Sequence, residues 1–246
     1  TSGSGSEATH FAVVYVKEKK FSVTSCYILP RYSIVDPEFT KSLSPKITAI
    51  SGIDALCQGI ESYWSINSTL LSRSFSKESI KLILHNLLIA VKNPTEETRL
   101  SMARASNLAG KAINLTKTTA PHAISYPLTY FFGIPHGHAV SLTLGEFFIF
   151  NSSIDKFNAT TLNRLDDYPK KFSELLDVFG VVDPLSAKQK ITKLMLDLDL
   201  ETKFSMFNIT TKDIPLILNN VNIERLDNNP RKISREELES ILVSLI

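Results

Sequence analysis

A mainly α fold with a small β portion at its N-terminal end is expected for this chain, and two textures in the sequence carry that expectation. Up to about residue 45, the apolar residues are β-branched or aromatic and stand in short runs, the habit of strands. Beyond Pro45 they recur every three or four positions, the spacing of one helix face. Two units are therefore expected: residues 1–45, largely β, and residues 46–246, all-helical.

In the first unit, Phe11-Ala-Val-Val-Tyr-Val16 and Phe21-Ser-Val-Thr24 read as the arms of a hairpin around the charged turn Lys17-Glu-Lys-Lys20. Tyr32-Ser-Ile-Val35, closed by Asp36-Pro37, reads as a further sheet strand. In the second unit, Ile53, Leu56, Cys57, Ile60 and Trp64 mark one helix face. Further helices are expected over residues 74–91, 96–114, 120–130, 138–150, 169–179, 187–198, 212–219 and 234–246. Asp213 with Pro215, and Ser234 with Glu237, supply start signals. Gly180, Pro184 and Asn228-Asn-Pro230 supply breaks. His85, within an apolar helix, is expected to pack.

Composition narrows the function. With 43% hydrophobic residues, 21% charged residues and a net charge of +2, the chain carries neither the signature of disorder nor a basic stripe for nucleic acid. Apolar runs are too short to span a bilayer. Two cysteines make no disulfide framework, and no leader is recognised at Thr1, so a cytoplasmic protein is expected.

The chemistry-bearing residues lie in the helical unit. Asp54 and Gln58 are four apart, so a helix stacks their oxygens on one face. His122 and His136 stand fourteen positions apart downstream. If a second helix and the Gly-Ile-Pro-His136-Gly turn bring them to the same point, one carboxylate, one amide oxygen and two imidazoles suit Fe(II) or Zn(II). The plainer alternative is a pair of core histidines. Glu61 and Glu7 are candidates to support a ligand, with surface exposure as their default, and His10 could line a cleft.

Four segments, Thr1-Ser-Gly-Ser-Gly-Ser-Glu-Ala-Thr9, Ser51-Gly-Ile-Asp-Ala-Leu-Cys-Gln-Gly-Ile-Glu-Ser-Tyr-Trp64, Ala120 to His138 and Glu224 to Arg231, resemble the iron-containing (group III) alcohol dehydrogenases nearly end to end. The resemblance implies the C-terminal helical domain shared with dehydroquinate synthase-like proteins, preceded by a β remnant of an N-terminal α/β nucleotide-binding domain. It implies metal ligands at Asp54, Gln58, His122 and His136, with Gln58 departing from a common histidine. It also implies that the loop carrying Thr1, Gly3, Ser4 and Ser6 abuts NAD(P) from the far side of a cleft. That loop is not a G-x-G-x-x-G fingerprint, and the chain is expected to lack most of the cofactor site and to be inactive alone.

What the resemblance implies for the complete enzyme is hydride transfer between NAD(P)H and a small aldehyde or alcohol, with the metal as Lewis acid. His138 is a candidate proton relay. Tyr126 is a candidate for proton donation, substrate contact or plain packing. Lys111, Asn114 and Lys117 resemble the phosphonoacetaldehyde reductase-like subgroup and form a candidate anion site; solvated surface lysines are the equal alternative. A homodimer is left open, as are a non-catalytic remnant serving as a metal-binding or dimerisation module and a lyase nearer to dehydroquinate synthase.

Overall fold

A computed structural model describes residues 4–16, 19–163 and 165–246. A hairpin of β1 (Phe11–Val16) and β2 (Lys19–Thr24) is followed by a helical body. The strands pair antiparallel, with Phe11 opposite Thr24 and Val14 opposite Phe21. Of the expected turn residues, Lys17 and Glu18 lie outside the described residues, while Lys19 and Lys20 open β2. Tyr32 to Val35 forms no strand, which corrects the expectation: the sheet among the described residues has two strands. Tyr32 and Ile34 are 84% and 94% exposed, so the alternation that resembled a half-buried strand meets no neighbouring strand here.

The body comprises α1 (Pro45–Trp64), α2 (Leu70–Lys92), α3 (Glu96–Thr116), α4 (Ala120–Phe132) and α5 (His136–Ser152). It continues with α6 (Tyr168–Phe179), α7 (Pro184–Asp197), α8 (Ile214–Leu218), α9 (Ile223–Leu226) and α10 (Arg235–Val243). Local chemistry sets the ends. Ser44 caps α1 ahead of Pro45, and Thr69, Thr95 and Ser234 form capping boxes, filling amides that a helix start leaves without partners. Gly133 and Gly180 end α4 and α6 at φ of 67° and 72°, where glycine carries no steric penalty. The helix expected over residues 212–219 divides into a 3₁₀ turn, Thr211–Asp213, and α8, because Pro215 falls in the first turn of the helix. His85 is exposed, not packed: it lies on the solvent side of α2.

Helix α1 is the axis of the body, touching α2, α3, α5 and α6. Two glycines let neighbours close on it. A Cβ at Gly52 would lie 2.2 Å from Leu87 Cδ1, and one at Gly137, on α5, would lie 2.2 Å from the Ile50 carbonyl oxygen and 2.7 Å from Asp54 Cβ. The second approach delivers His136 to the α1 face that carries Asp54. Below that face, Phe148 meets Trp64 edge-on at 5.2 Å and stacks on Phe179 at 5.5 Å.

Helix α4 contains Pro127, which has no N–H to offer the Ala123 carbonyl. The Asn222 amide takes that carbonyl instead, at 3.3 Å. The Asn222 side chain caps α9 by accepting from the Arg225 amide at 2.9 Å. A proline thus docks a distant short helix onto α4.

Phe148 is wholly buried among three aromatic partners. Phe148→Ala is expected to lower unfolding stability by about 3–5 kcal/mol, read from chemical denaturation midpoints.

Candidate metal centre

Asp54, His122 and His136 present one ligand atom each within 4.8 Å of one another. Atoms bound to one ion at ~2.1 Å stand at most ~4.2 Å apart, so small side-chain rotations close the set. Asp54 comes from the middle of α1, His122 from the first turn of α4, and His136 is the first residue of α5. Both histidines occupy helix starts, whereas His136 was expected in a turn.

The second nitrogen of each imidazole is occupied. His122 Nδ1 hydrogen-bonds Glu61 Oε1, and His136 Nδ1 lies 3.3 Å from the Ser125 hydroxyl, which itself donates to the His122 carbonyl at 2.7 Å. These contacts orient the rings and leave Nε2 for an ion. His122 Nε2 stands 3.5 Å from Asp54 Oδ1.

Glu61 is 0% exposed. Its Oε2 accepts from the Thr119 amide at 2.7 Å and the Thr119 hydroxyl at 2.9 Å, and the Trp64 indole donates to that hydroxyl at 2.9 Å. Thr119 is set by the turn from α3 to α4, where Lys117 adopts φ 59°, ψ 176°, a region that ordinarily demands glycine.

Burial works to raise the pKa of Asp54, but the adjacent His122 and His136 imidazoles and the Gln58 amide outweigh it and hold the carboxyl below its ordinary value. Burial works to lower that of His122, and the Glu61 and Asp54 carboxylates overcome it, pushing it up to about 9. The cluster is an environment built for positive charge.

Gln58 sits beside this cluster. Its Nε2 donates to Asp54 Oδ2 at 3.2 Å and to the Ser4 carbonyl at 3.1 Å. Rotating the amide by half a turn would set its oxygen against two acceptors, so the orientation is fixed. Asp54 Oδ1 and Gln58 Oε1 are buried without a hydrogen-bond partner among the described residues. Buried oxygens in that condition cost free energy unless something cationic or protic completes them. A divalent ion bound by Asp54, Gln58, His122 and His136 fits both the donor chemistry and the two bare oxygens.

The other candidates divide. Tyr126 is close by: its ring lies 6.2 Å from that of His136 with 9° between the planes. Ser4 and Ser6 bond to each other at 3.0 Å, on a loop pinned where Gly5 meets Gly110 so closely that a Cβ on Gly110 would lie 2.1 Å from the Gly5 oxygen. Thr1 and Gly3 lie outside the described residues.

His138, the candidate relay, lies outside the cluster. Two residues along a helix turn a side chain through about 200°, and its Nε2 bonds the Glu201 carbonyl at 2.7 Å while its ring packs on Phe207. Burial lowers its pKa, as befits a neutral core histidine. Lys111 and Asn114 line one surface cavity together with Arg31 and Glu7, and Lys117 lies apart from it. Lys111 is exposed, Asn114 binds the His10 amide and ring, and Lys117 pairs with Glu224 at 2.8 Å. Glu7 accepts from Asn107 at 3.0 Å, away from the ligands.

Ser125 and Thr119 escaped the sequence reading. Ser125 carried a usable signal, since position i+3 from His122 shares its helix face. Thr119 carried none beyond its place before α4.

Fold and site together define a helical domain with a buried carboxylate–imidazole centre. Residues 48–246 match the family described as Fe-containing alcohol dehydrogenase, C-terminal, and the chain belongs to that family. It is 30% identical over 245 residues to a phosphonoacetaldehyde reductase from Streptomyces viridochromogenes, covering 98% of this chain and 61% of that protein. A sulfoacetaldehyde reductase from Bilophila wadsworthia is 31% identical over 251 residues, covering 98% and 63%. Among solved structures, sulfoacetaldehyde reductase from Bifidobacterium kashiwanohense, in complex with NAD+, superposes with a TM-score of 0.88 at 34% identity, over 100% of this chain and 62% of that one. The chain thus spans about three fifths of the length of these relatives.

Glu61→Gln keeps the shape but weakens the bond to His122, and is expected to reduce Zn(II) affinity roughly 10–100-fold. Competition with a chromophoric chelator measures it, with circular dichroism confirming an unaltered fold.

Proposed function

We propose that this chain is the metal-holding part of an NAD(P)-linked alcohol dehydrogenase or aldehyde reductase acting on a small aldehyde. The observation that carries the reading is the convergence of Asp54, His122 and His136 beside two buried oxygens without partners. In this reading residues 46–246 form the metal domain, and residues 1–45 belong with a nucleotide-binding part. The relatives named for reduction of phosphonoacetaldehyde and sulfoacetaldehyde, and the NAD+ complex of a structural neighbour, support both the reaction class and the cofactor.

A bound Fe(II) or Zn(II) would supply Lewis acidity toward the substrate oxygen. Asp54 and the two imidazoles hold it, Gln58 adds a neutral oxygen, and Glu61 and Ser125 fix the rings. Tyr126, half-buried beside His136, borders the space a substrate would enter. The Ser4–Ser6 loop faces the cofactor, and the hydrogen bond from Gln58 to Ser4 ties that loop to the metal. No described helix is long and apolar enough to cross a membrane, in keeping with a cytoplasmic enzyme.

Stripped protein titrated with Fe(II) or Zn(II) should take up a single ion per chain, and Asp54→Ala or His122→Ala should abolish that uptake. Assembled with a nucleotide-binding part, it should oxidise NAD(P)H in the presence of small aldehydes only when metal-loaded, with loss on chelation and recovery on metal addition. Uptake without hydride transfer would make the chain a metal-binding module; absence of uptake would end the proposal.

A further inference from the structure

Gln58 serves two elements at once. Its Nε2 donates to Asp54 Oδ2 on its own helix at 3.2 Å and to the Ser4 carbonyl on the N-terminal loop at 3.1 Å, while its Oε1 is buried without a hydrogen-bond partner. With both amide hydrogens committed, the oxygen is the part of the side chain left for a cation.

The loop that carries Ser4 is anchored to α3 at three points. Gly5 rests on Gly110, where a Cβ would lie 2.1 Å from the Gly5 oxygen. Glu7 accepts from Asn107 at 3.0 Å, and the His10 amide donates to Asn114 at 2.8 Å. Among the described residues, the loop's hydrogen bond to α1 is the one from Gln58. A cation on an amide oxygen draws electrons from the conjugated nitrogen, so its N–H groups become stronger donors.

We propose that Gln58 is a positioning residue that couples the metal centre to the N-terminal loop. An ion taken up by Asp54, His122 and His136 engages Gln58 Oε1 and tightens the hold of Nε2 on Ser4, and displacement of the loop loosens the ion in return, because coupling between two sites is reciprocal. This rests on the metal-centre reading above, and it makes the conformation of the cofactor-facing loop depend on metal occupancy. A histidine at this position would give the ion a nitrogen, but its single remaining N–H could not serve both Asp54 and Ser4.

Amide exchange on stripped and Zn(II)-loaded protein reads the first direction. The Ala8 and Thr9 amides bond to the Gly5 and Ser6 carbonyls, and Zn(II) should slow their exchange roughly fivefold or more. Gln58→His, and Gln58→Glu, which keeps an oxygen for the ion and has no hydrogen for Ser4, should both take up Zn(II) yet lose that slowing. Uptake by wild type without slowing, or slowing retained in full by both variants, would overturn the proposal; absence of uptake would end the metal reading and the proposal with it. Gly110→Ala reads the other direction, since its methyl group displaces the loop at Gly5 while every candidate ligand is kept. Its Zn(II) affinity, measured by chelator competition, should fall roughly fivefold or more with circular dichroism unchanged. Affinity equal to that of wild type, with the Ala8 and Thr9 amides exchanging faster, would overturn the coupling.

Discussion

Glu61 has no access to water, and a carboxylate in that position is several kcal/mol unstable unless its lone pairs are filled. The Thr119 amide and hydroxyl fill one oxygen, and the His122 ring fills the other. That requirement draws the start of α4 onto the last turns of α1. It also decides which imidazole nitrogen of His122 remains for an ion. The same contact serves folding and ligand geometry, so loss of Glu61 strands an amide, a hydroxyl and an imidazole at once.

The remaining ligand arrives by close packing. Gly137 lets the first turn of α5 lie against the Ile50 carbonyl, and no larger residue leaves room for that approach without displacing α1. Pro135 precedes His136 in extended conformation, with φ −55° and ψ 139°, so the chain enters α5 already directed across Asp54. The two histidines therefore reach one point by different means, a buried hydrogen bond and a helix contact without a side chain between.

Much of this was legible in the residues because it is local. The four-residue step from Asp54 to Gln58 needs only a helix, and Ser234 with Glu237 forms its capping box from adjacent side chains. The hairpin follows from two runs of β-branched and aromatic residues on either side of a charged stretch. What stayed hidden depends on partners far along the chain. Tyr32 to Val35 carries strand composition, yet a strand needs a neighbour, and sequence alternation does not supply one. Lys117 meets a carboxylate 107 positions away, and the Asn222 amide docks on the Ala123 carbonyl of α4. For His138, spacing alone sets the face: two residues beyond His136 on a helix, it points away from Asp54 and toward the Glu201 carbonyl.

Gln58 joins these scales. Its amide hydrogens are shared between the Asp54 carboxylate and the Ser4 carbonyl, so the N-terminal loop and the Asp54 face of α1 are held by one side chain. That loop is itself fixed by the contact of Gly5 with Gly110 on α3. An amide at this position therefore does what a single imidazole nitrogen cannot: it donates twice in divergent directions and still leaves an oxygen. Toward an ion, such an oxygen would be a harder, weaker donor than histidine. The gain is an Asp54 carboxylate with Oδ2 tethered to Gln58 and Oδ1 left facing His122 Nε2.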